Sequence, residues 1–394
     1  MNLRLLLRAL QLAVLFLVTA CEQGDDSAAG AFASRYQPQP SETTLIAGAT
    51  VLTGTGERLD NADVLIADGK IVSVGEGLGR DGAVVIDAEG KWVTPGLIDV
   101  HSHLGVYASP GTVSHSDGNE ATAPVTAEVW AEHSVWPHDP GFVTALAGGV
   151  TSLQILPGSA NLIGGRSVTL KNVPGRNVQD MKFPGAPHGM KMACGENPKR
   201  VYGGKGLAPS TRMGNVAGYR TAWIKAADYR DKMAAASKGQ GEAPMRDLQL
   251  ETLAGVLDGE ILVHNHCYRG DEMSVMLDIA DEFGYSIASF HHAVEAYKIA
   301  DLLAASGTCA SMWADWWGFK MEAYDGIREN IALVDRAGAC AIVHSDNQIE
   351  IQRLNQEAAK VMGAAARVDI DIPPERAIRW LTINPARSLG VDDQ

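Results

Sequence analysis

The chain has 394 residues, with 33 Lys plus Arg against 47 Asp plus Glu and a formal net charge of −14. That balance excludes the basic face of a nucleic-acid binder, and an apolar fraction of 46% with 20% charged residues excludes global disorder. Five cysteines in this length exclude a disulfide scaffold.

Met1 to Cys21 has the pattern of an export signal. Arg4 and Arg8 precede an apolar run, Ala9 to Val18, broken only by Gln11 and too short for a membrane span of ~20 residues. Val18-Thr19-Ala20-Cys21 resembles a bacterial lipobox, which implies lipidation at Cys21. Glu22 after it implies the outer membrane, facing the periplasm, with the lipid anchor as the sole membrane attachment. Residues 22–42 are rich in Ala, Ser, Gly, Gln and Asp and are expected to form a flexible tether.

Residues 43–93 carry short β-rich runs such as Leu45-Ile46, Val64-Leu65-Ile66 and Val84-Val85-Ile86. Asp68-Gly69 has hairpin chemistry between two of them. This is a small β unit, part of a β-sandwich, and it stops at Thr94-Pro95-Gly96.

From residue 94 to 394 short apolar runs alternate with helix-length segments. Strands are predicted at 96–100, 150–156, 167–170, 190–193, 260–263, 286–290, 308–312 and 339–343. Helices are predicted at 247–258, 273–283, 293–305 and 326–337. Eight strands with intervening helices read as an α/β fold, a (β/α)8 TIM-like barrel of ~250 residues carrying insertions. A doubly wound sheet is disfavoured, because no GxGxxG turn follows a strand.

Four of the strands end in metal-ligating residue types. In Asp99-Val100-His101-Ser102-His103 the two imidazoles fall on one face of a strand, a geometry suited to a divalent metal such as zinc. Val263-His264-Asn265-His266, Phe290-His291-His292 and Val343-His344-Ser345-Asp346 close three more runs. A barrel repeats every ~31 residues. His264 and His292 are 28 positions apart, His292 and Asp346 are 54 apart, and His103 and His264 are 161 apart. The groups therefore fall on strands one, five, six and eight, at the rim where barrel enzymes keep their chemistry.

This pattern resembles the amidohydrolase superfamily over roughly residues 44–390. The stretch 158–165 (Gly-Ser-Ala-Asn-Leu-Ile-Gly-Gly) and the stretch 195–200 (Gly-Glu-Asn-Pro-Lys-Arg) resemble its imidazolonepropionase-related branch. The resemblance implies that His101, His103 and Asp346 hold one metal and that His264 and His292 hold a second if present. His266 either touches substrate or replaces His264 as ligand, and His344 is read as a buried structural histidine. The bridging group is either Lys191, carboxylated on its amine, or Glu196, with Lys171 a weaker third choice. An unmodified ammonium beside metal ions would be repelled.

The implied activity is hydrolysis of a C–N bond in an amide, cyclic amide or peptide-like small molecule by attack of metal-bound hydroxide. Asp346 would serve as general base and then acid. Arg200 and Arg212, with Lys199, lie after strand four and are candidates to hold a substrate carboxylate. The alternatives are an esterase or phosphoesterase using the same site, or a truncated, non-catalytic, metal-binding lipoprotein. A homo-oligomer is compatible with the sequence.

An insertion after strand one carries His115, Trp130, His133, Trp136 and His138, and either lids the site or is solvated. Cys194, Cys267, Cys309 and Cys340 are expected to be buried free thiols, although export permits disulfides. Relatives in the superfamily continue past the point where this chain stops, with strands that complete the small β unit. Residues 43–93 are therefore expected to show open edges and an uncovered apolar face.

Overall fold

A computed structural model describes residues 32–316 and 318–394. The expected signal and Cys21 lie outside the described residues.

Two sheets organise the chain. The first is built from β1 (Thr44–Leu52), β2 (Arg58–Ala67), β3 (Lys70–Gly75), β4 (Val84–Asp87) and β5 (Trp92–Val93), in the order β3-β2-β1-β4, with β5 also paired to β1. β1 and β2 alternate well enough to bury Ala49, Val51, Ala62 and Val64 on one face. The outer strands leave Ile71, Val72, Val84, Val85, Ile86 and Trp92 exposed.

The second sheet has eight strands in sequential order: β6 (Leu97–Ser102), β7 (Val150–Ile155), β8 (Ile163–Lys171), β9 (Gly189–Ala193), β10 (Leu262–Cys267), β11 (Ile287–His292), β12 (Cys309–Met312) and β13 (Ala341–Val343). Its interior residues are almost wholly buried, as a filled barrel requires. Each predicted strand is present. The ladder does not pair β13 with β6, but the backbone N–H of Asp346 reaches the carbonyl of His101 at 3.0 Å and nearly closes the cylinder.

One strand departs from the (β/α)8 expectation. β8 runs antiparallel to both β7 and β9. Residues 156–162 form a short reversal, whereas a parallel crossover takes a dozen residues or more. The consequence is that the 158–165 segment turns at the rim where β7 ends, and Lys171 ends up at the opposite end of the barrel.

Helices form where the apolar period changes. Leu248–Leu257 begins at Asp247, whose Oδ1 accepts the N–H groups of Gln249 and Leu250. Gly270–Phe283 ends at Gly284 with φ +73°, a left-handed cap that glycine adopts freely. Of the predicted 293–305 helix only Ala300–Ser306 is α-helical, after a 3-10 turn at Ala296–Ile299. The predicted 326–337 helix is observed as Asn330–Arg336.

Two further expectations are corrected. The cysteines are paired, Cys194 with Cys267 and Cys309 with Cys340, because each pair sits on adjacent strand ends with Cα atoms 5.2 and 4.4 Å apart. Within the expected tether, residues 32–36 are docked, not free, while 37–42 are exposed. Arg35 donates its backbone N–H to Gln179 O at 2.8 Å, and Ser34 Oγ donates to Lys182 O at 2.6 Å. Lys182 Nζ in turn donates to Phe32 O at 3.0 Å and pairs with Glu132 at 2.6 Å.

Candidate metal centre and active site

The first strand delivers His101 and His103 on one face. His103 Nδ1 lies 2.9 Å from Leu156 O, an obligate acceptor. The Nδ1 proton is therefore fixed, and Nε2 lies 3.2 Å from Asp346 Oδ1. His101 Nε2 lies 3.4 Å from the same oxygen. His292 Nδ1 approaches the other carboxylate oxygen at 3.9 Å and has no hydrogen-bond partner among the described residues. Three imidazole nitrogens and a carboxylate thus converge on one space, where a cation could take their lone pairs. His101, His103 and Asp346 can contribute ligand atoms to one ion, as can His101, His292 and His344, each set lying within 4.8 Å.

Backbone conformation makes the convergence possible. His292, Ala293 and Asp346 hold φ of +72°, +37° and +56°, in the left-handed region that non-glycine residues avoid. Strand alternation would send His291 and His292 to opposite faces, yet both rings lie beside His101, with centroids 4.8 and 4.7 Å away. Such conformations persist where the surroundings over-determine them, commonly at functional sites.

Burial sets the electrostatics. It pulls the imidazole pKa of His101, His266, His291 and His292 well below the usual value, and that of His264 and His344 down to about 3. These rings are neutral at pH 7, the form that donates a lone pair to metal. Burial also lowers the Lys191 ammonium to about 8. Its Nζ lies 3.3 Å from His101 Nε2.

The expected residues separate accordingly. Lys191 is at the centre. Glu196, the alternative bridge, instead starts the helix Glu196–Gly203 and faces Lys320 Nζ at 3.7 Å. Lys171 lies near the Tyr36 and Phe183 rings at the far end, because β8 is reversed. His264, expected as a ligand, sits deeper, in register with Lys191, and contacts His291 Nε2 through Nδ1 at 3.0 Å. His266 is the β10 histidine that meets His292, with ring centroids 4.6 Å apart. His344 Nε2 accepts the backbone N–H of His292 at 3.2 Å, which uses its lone pair in support of the backbone.

The cationic candidates are not gathered around a free anion site. Arg212 is engaged by Glu272 at 2.8 Å and Glu322 at 2.5 Å, and Arg200 is exposed on its helix. Among the insertion's histidines, His133 stacks on Trp130, and His115 and His138 lie against Trp136. The insertion meets the site through Tyr107, whose ring centroid is 5.6 Å from that of His103.

Sequence reasoning did not single out Tyr268, Trp313, Asn197 or Lys320. Trp313 stacks on His292 with centroids 4.2 Å apart and donates from Nε1 to Ser345 O at 3.1 Å. Tyr268 stacks on the same imidazole at 5.3 Å. Asn197 donates to Ser159 Oγ at 2.9 Å and lies 3.4 Å from His266 Nε2, so both family-like loop segments reach the rim. Lys320 Nζ rests 3.9 Å from the Tyr268 ring centre. None of these residues stands in a histidine-ended strand pattern, although Tyr268 follows β10 directly.

Comparison with solved structures supplies the deciding observation. The crystal structure of an amidohydrolase from Thermotoga maritima MSB8 is 36% identical, covers 89% of both chains and superposes with a TM-score of 0.82. The chain belongs to the amidohydrolase superfamily. The curated amidohydrolase tasK of Hapsidospora irregularis is 33% identical over 320 residues, which are 76% of this chain and 32% of that protein. The chain thus spans about a third of the length of the curated relative it matches. A prolidase solved with N-methylphosphonate-L-proline, 18% identical over 89% of this chain and 88% of its own at a TM-score of 0.52, shares the fold. No protein-family model matches the chain.

Proposed function

We propose that the protein is a metal-dependent hydrolase of C–N bonds in small amides, cyclic amides or peptide-like molecules. The observation that carries this reading is the convergence of His101 Nε2 and His103 Nε2 on one Asp346 oxygen, at 3.4 and 3.2 Å, with His292 Nδ1 facing the other oxygen at 3.9 Å. His101, His103, Asp346 and His292 are the residues that would hold a divalent ion, zinc being suited to imidazole and carboxylate donors. Such an ion supplies Lewis acidity, polarising a carbonyl and acidifying water.

The chain's own residues do the rest. Asp346, partly exposed and facing the rim, accepts a proton from the attacking water and returns it to the departing nitrogen. Lys191, its ammonium lowered by burial to about 8 so that a fraction is free amine near neutral pH, is the residue able to take up carbon dioxide and become an anionic bridge; Glu196 is occupied by Lys320. Trp313 and Tyr268 pack against the His292 ring and against each other, with their own centroids 5.9 Å apart, and shield it from water. Ser159, Asn197 and His266 form the polar edge facing substrate, which supports the imidazolonepropionase-related branch as the nearest in kind.

Export with a lipid anchor at Cys21 belongs to the same proposal. It is supported by the signal-like residues 1–21 and by two disulfides, which persist in oxidising compartments.

The test is elemental analysis of the purified chain followed by a screen of dipeptides, N-acyl amino acids, lactams and cyclic imides. One or two equivalents of zinc or a similar metal, with turnover of one class, are expected. Fully folded protein that takes up no metal overturns the proposal.

A further inference from the structure

Behind the site, His101 begins a column of three buried imidazoles, of which the hydrolytic chemistry leaves two, His291 and His264, unused. His101 Nδ1 is 2.8 Å from His291 Nδ1, and His291 Nε2 is 3.0 Å from His264 Nδ1. All three rings are buried to within 1% of full occlusion. The column ends at the barrel floor, where His264 Nε2 and the buried Gln154 Oε1 both lack hydrogen-bond partners among the described residues. A Cβ built on Gly189 would lie 2.7 Å from His264 Cδ2 and 2.8 Å from Gln154 Nε2, so ring and carboxamide border the same small space.

Proton counting restricts this column. A neutral imidazole carries one N–H and one lone pair, and charged rings are strongly disfavoured at such depth. Each contact needs one donor and one acceptor. Fixing the proton on any one ring therefore fixes all three. If His101 gives its Nε2 lone pair to a metal, its proton sits on Nδ1 and points at His291 Nδ1. His291 then carries its proton on Nε2, aimed at His264 Nδ1, and His264 carries its own on Nε2. The opposite polarity places a proton on His101 Nε2 and is incompatible with metal there.

We propose that His291 and His264 are positioning residues, a relay that fixes the tautomer and ring orientation of His101 and that metal binding locks into a single direction. The proposal rests on the metal-dependent reading above. It also explains why His264, at a strand position where a ligand is expected, faces the floor while His266 occupies the rim. A ligand whose second nitrogen is held in this way is more basic and better aligned, and loss of such support typically weakens metal binding 10–100-fold.

The experiment uses the full chain labelled with 15N-histidine, with and without stoichiometric zinc. Two-bond 1H–15N correlation spectra report which nitrogen of each ring carries the proton, and single His→Gln variants assign the rings. The zinc-loaded protein should show protonated Nδ1 on His101 and protonated Nε2 on both His291 and His264. In chelator competition, His264→Leu should weaken zinc binding about 10-fold or more. His264→Gln, which restores an acceptor for His291 Nε2–H, should return affinity towards that of the native chain.

Zinc uptake with Nδ1-protonated His264, or native affinity in His264→Leu, overturns the relay and leaves the functional reading standing. Absence of zinc uptake by the native chain overturns both. If His264→Leu fails to fold, the tautomer spectrum of the native protein decides alone.

Discussion

Asp346 donates its backbone N–H to the carbonyl oxygen of His101 at 3.0 Å, while its side chain reaches His101 Nε2 at 3.4 Å. The last barrel strand is thus tied to the first at the height of the site, and closing the cylinder and assembling the candidate ligand set are one event. Just below, Ser345 Oγ donates to Asp99 Oδ2 at 2.5 Å and the Ser345 N–H reaches Asp99 Oδ1 at 3.3 Å.

Asp346→Asn should therefore separate two roles. The amide keeps an oxygen towards the histidines and the same backbone bond, but it cannot accept a proton. Turnover of any substrate found should fall by roughly 10²–10⁴-fold, while elemental analysis still finds metal. Retained turnover would contradict Asp346 as the proton acceptor.

Asp99 should make stability depend on pH in a defined direction. Burial raises its carboxyl to about 6, against hydrogen bonds from Ser345 and the His101 N–H that lower it. The folded state then binds more protons than the unfolded state between about pH 4 and 6, so this group's contribution declines as pH rises through that window. Asp99→Asn should remove that slope and raise stability at pH 7 by up to about 3 kcal/mol. Urea melts at pH 4, 5, 6 and 7 on both proteins measure it.

Lys191 works in the opposite direction. Its folded-state pKa is depressed to about 8 by burial, so the unfolded state binds more protons between about pH 8 and 10.5. Metal-free protein should gain stability across that window, with the penalty fully present below pH 8. Lys191→Met should abolish the rise and stabilise the metal-free chain at pH 7 by up to about 3 kcal/mol. The same substitution should remove the proposed bridging group. Intact-mass analysis in bicarbonate should find the carbamate on the native chain and not on the variant.

The disulfides give a redox prediction. Cys194–Cys267 closes a loop of 73 residues and Cys309–Cys340 one of 31. Replacing either pair by serine should cost about 2–4 kcal/mol in denaturant melts, since cross-links restrict the unfolded chain. Unchanged melts in the double variants would show that these pairs do not form in solution.

Much of this arrangement was legible in the residues. The eight barrel strands announce themselves as short apolar runs, and histidine at the ends of strands spaced in multiples of one barrel unit points to a shared rim. The direction of β8 was also readable. Only ten residues separate the predicted strands ending at Leu156 and starting at Ser167, fewer than a parallel crossover takes. That reversal removed Lys171 from the site.

What was not legible depends on depth and on backbone exceptions. His264 and His266 share a strand face, so only their height along β10 relative to the neighbouring strands decides which one reaches the rim. His291 and His292 are neighbours that alternation sends apart, and no residue type at position 292 advertises a φ of +72°. The pairing of cysteines on adjacent strand ends follows from register, which is tertiary information. Trp313 reaches His292 only because β12 and β11 lie side by side.

The most direct test of the central claim is diffraction from zinc-loaded crystals at the zinc absorption edge. An anomalous peak should lie at coordination distance, about 2.0–2.2 Å, from His101 Nε2, His103 Nε2 and an Asp346 oxygen. A peak elsewhere on the molecule, with those three side chains still facing one another without an ion, would contradict it.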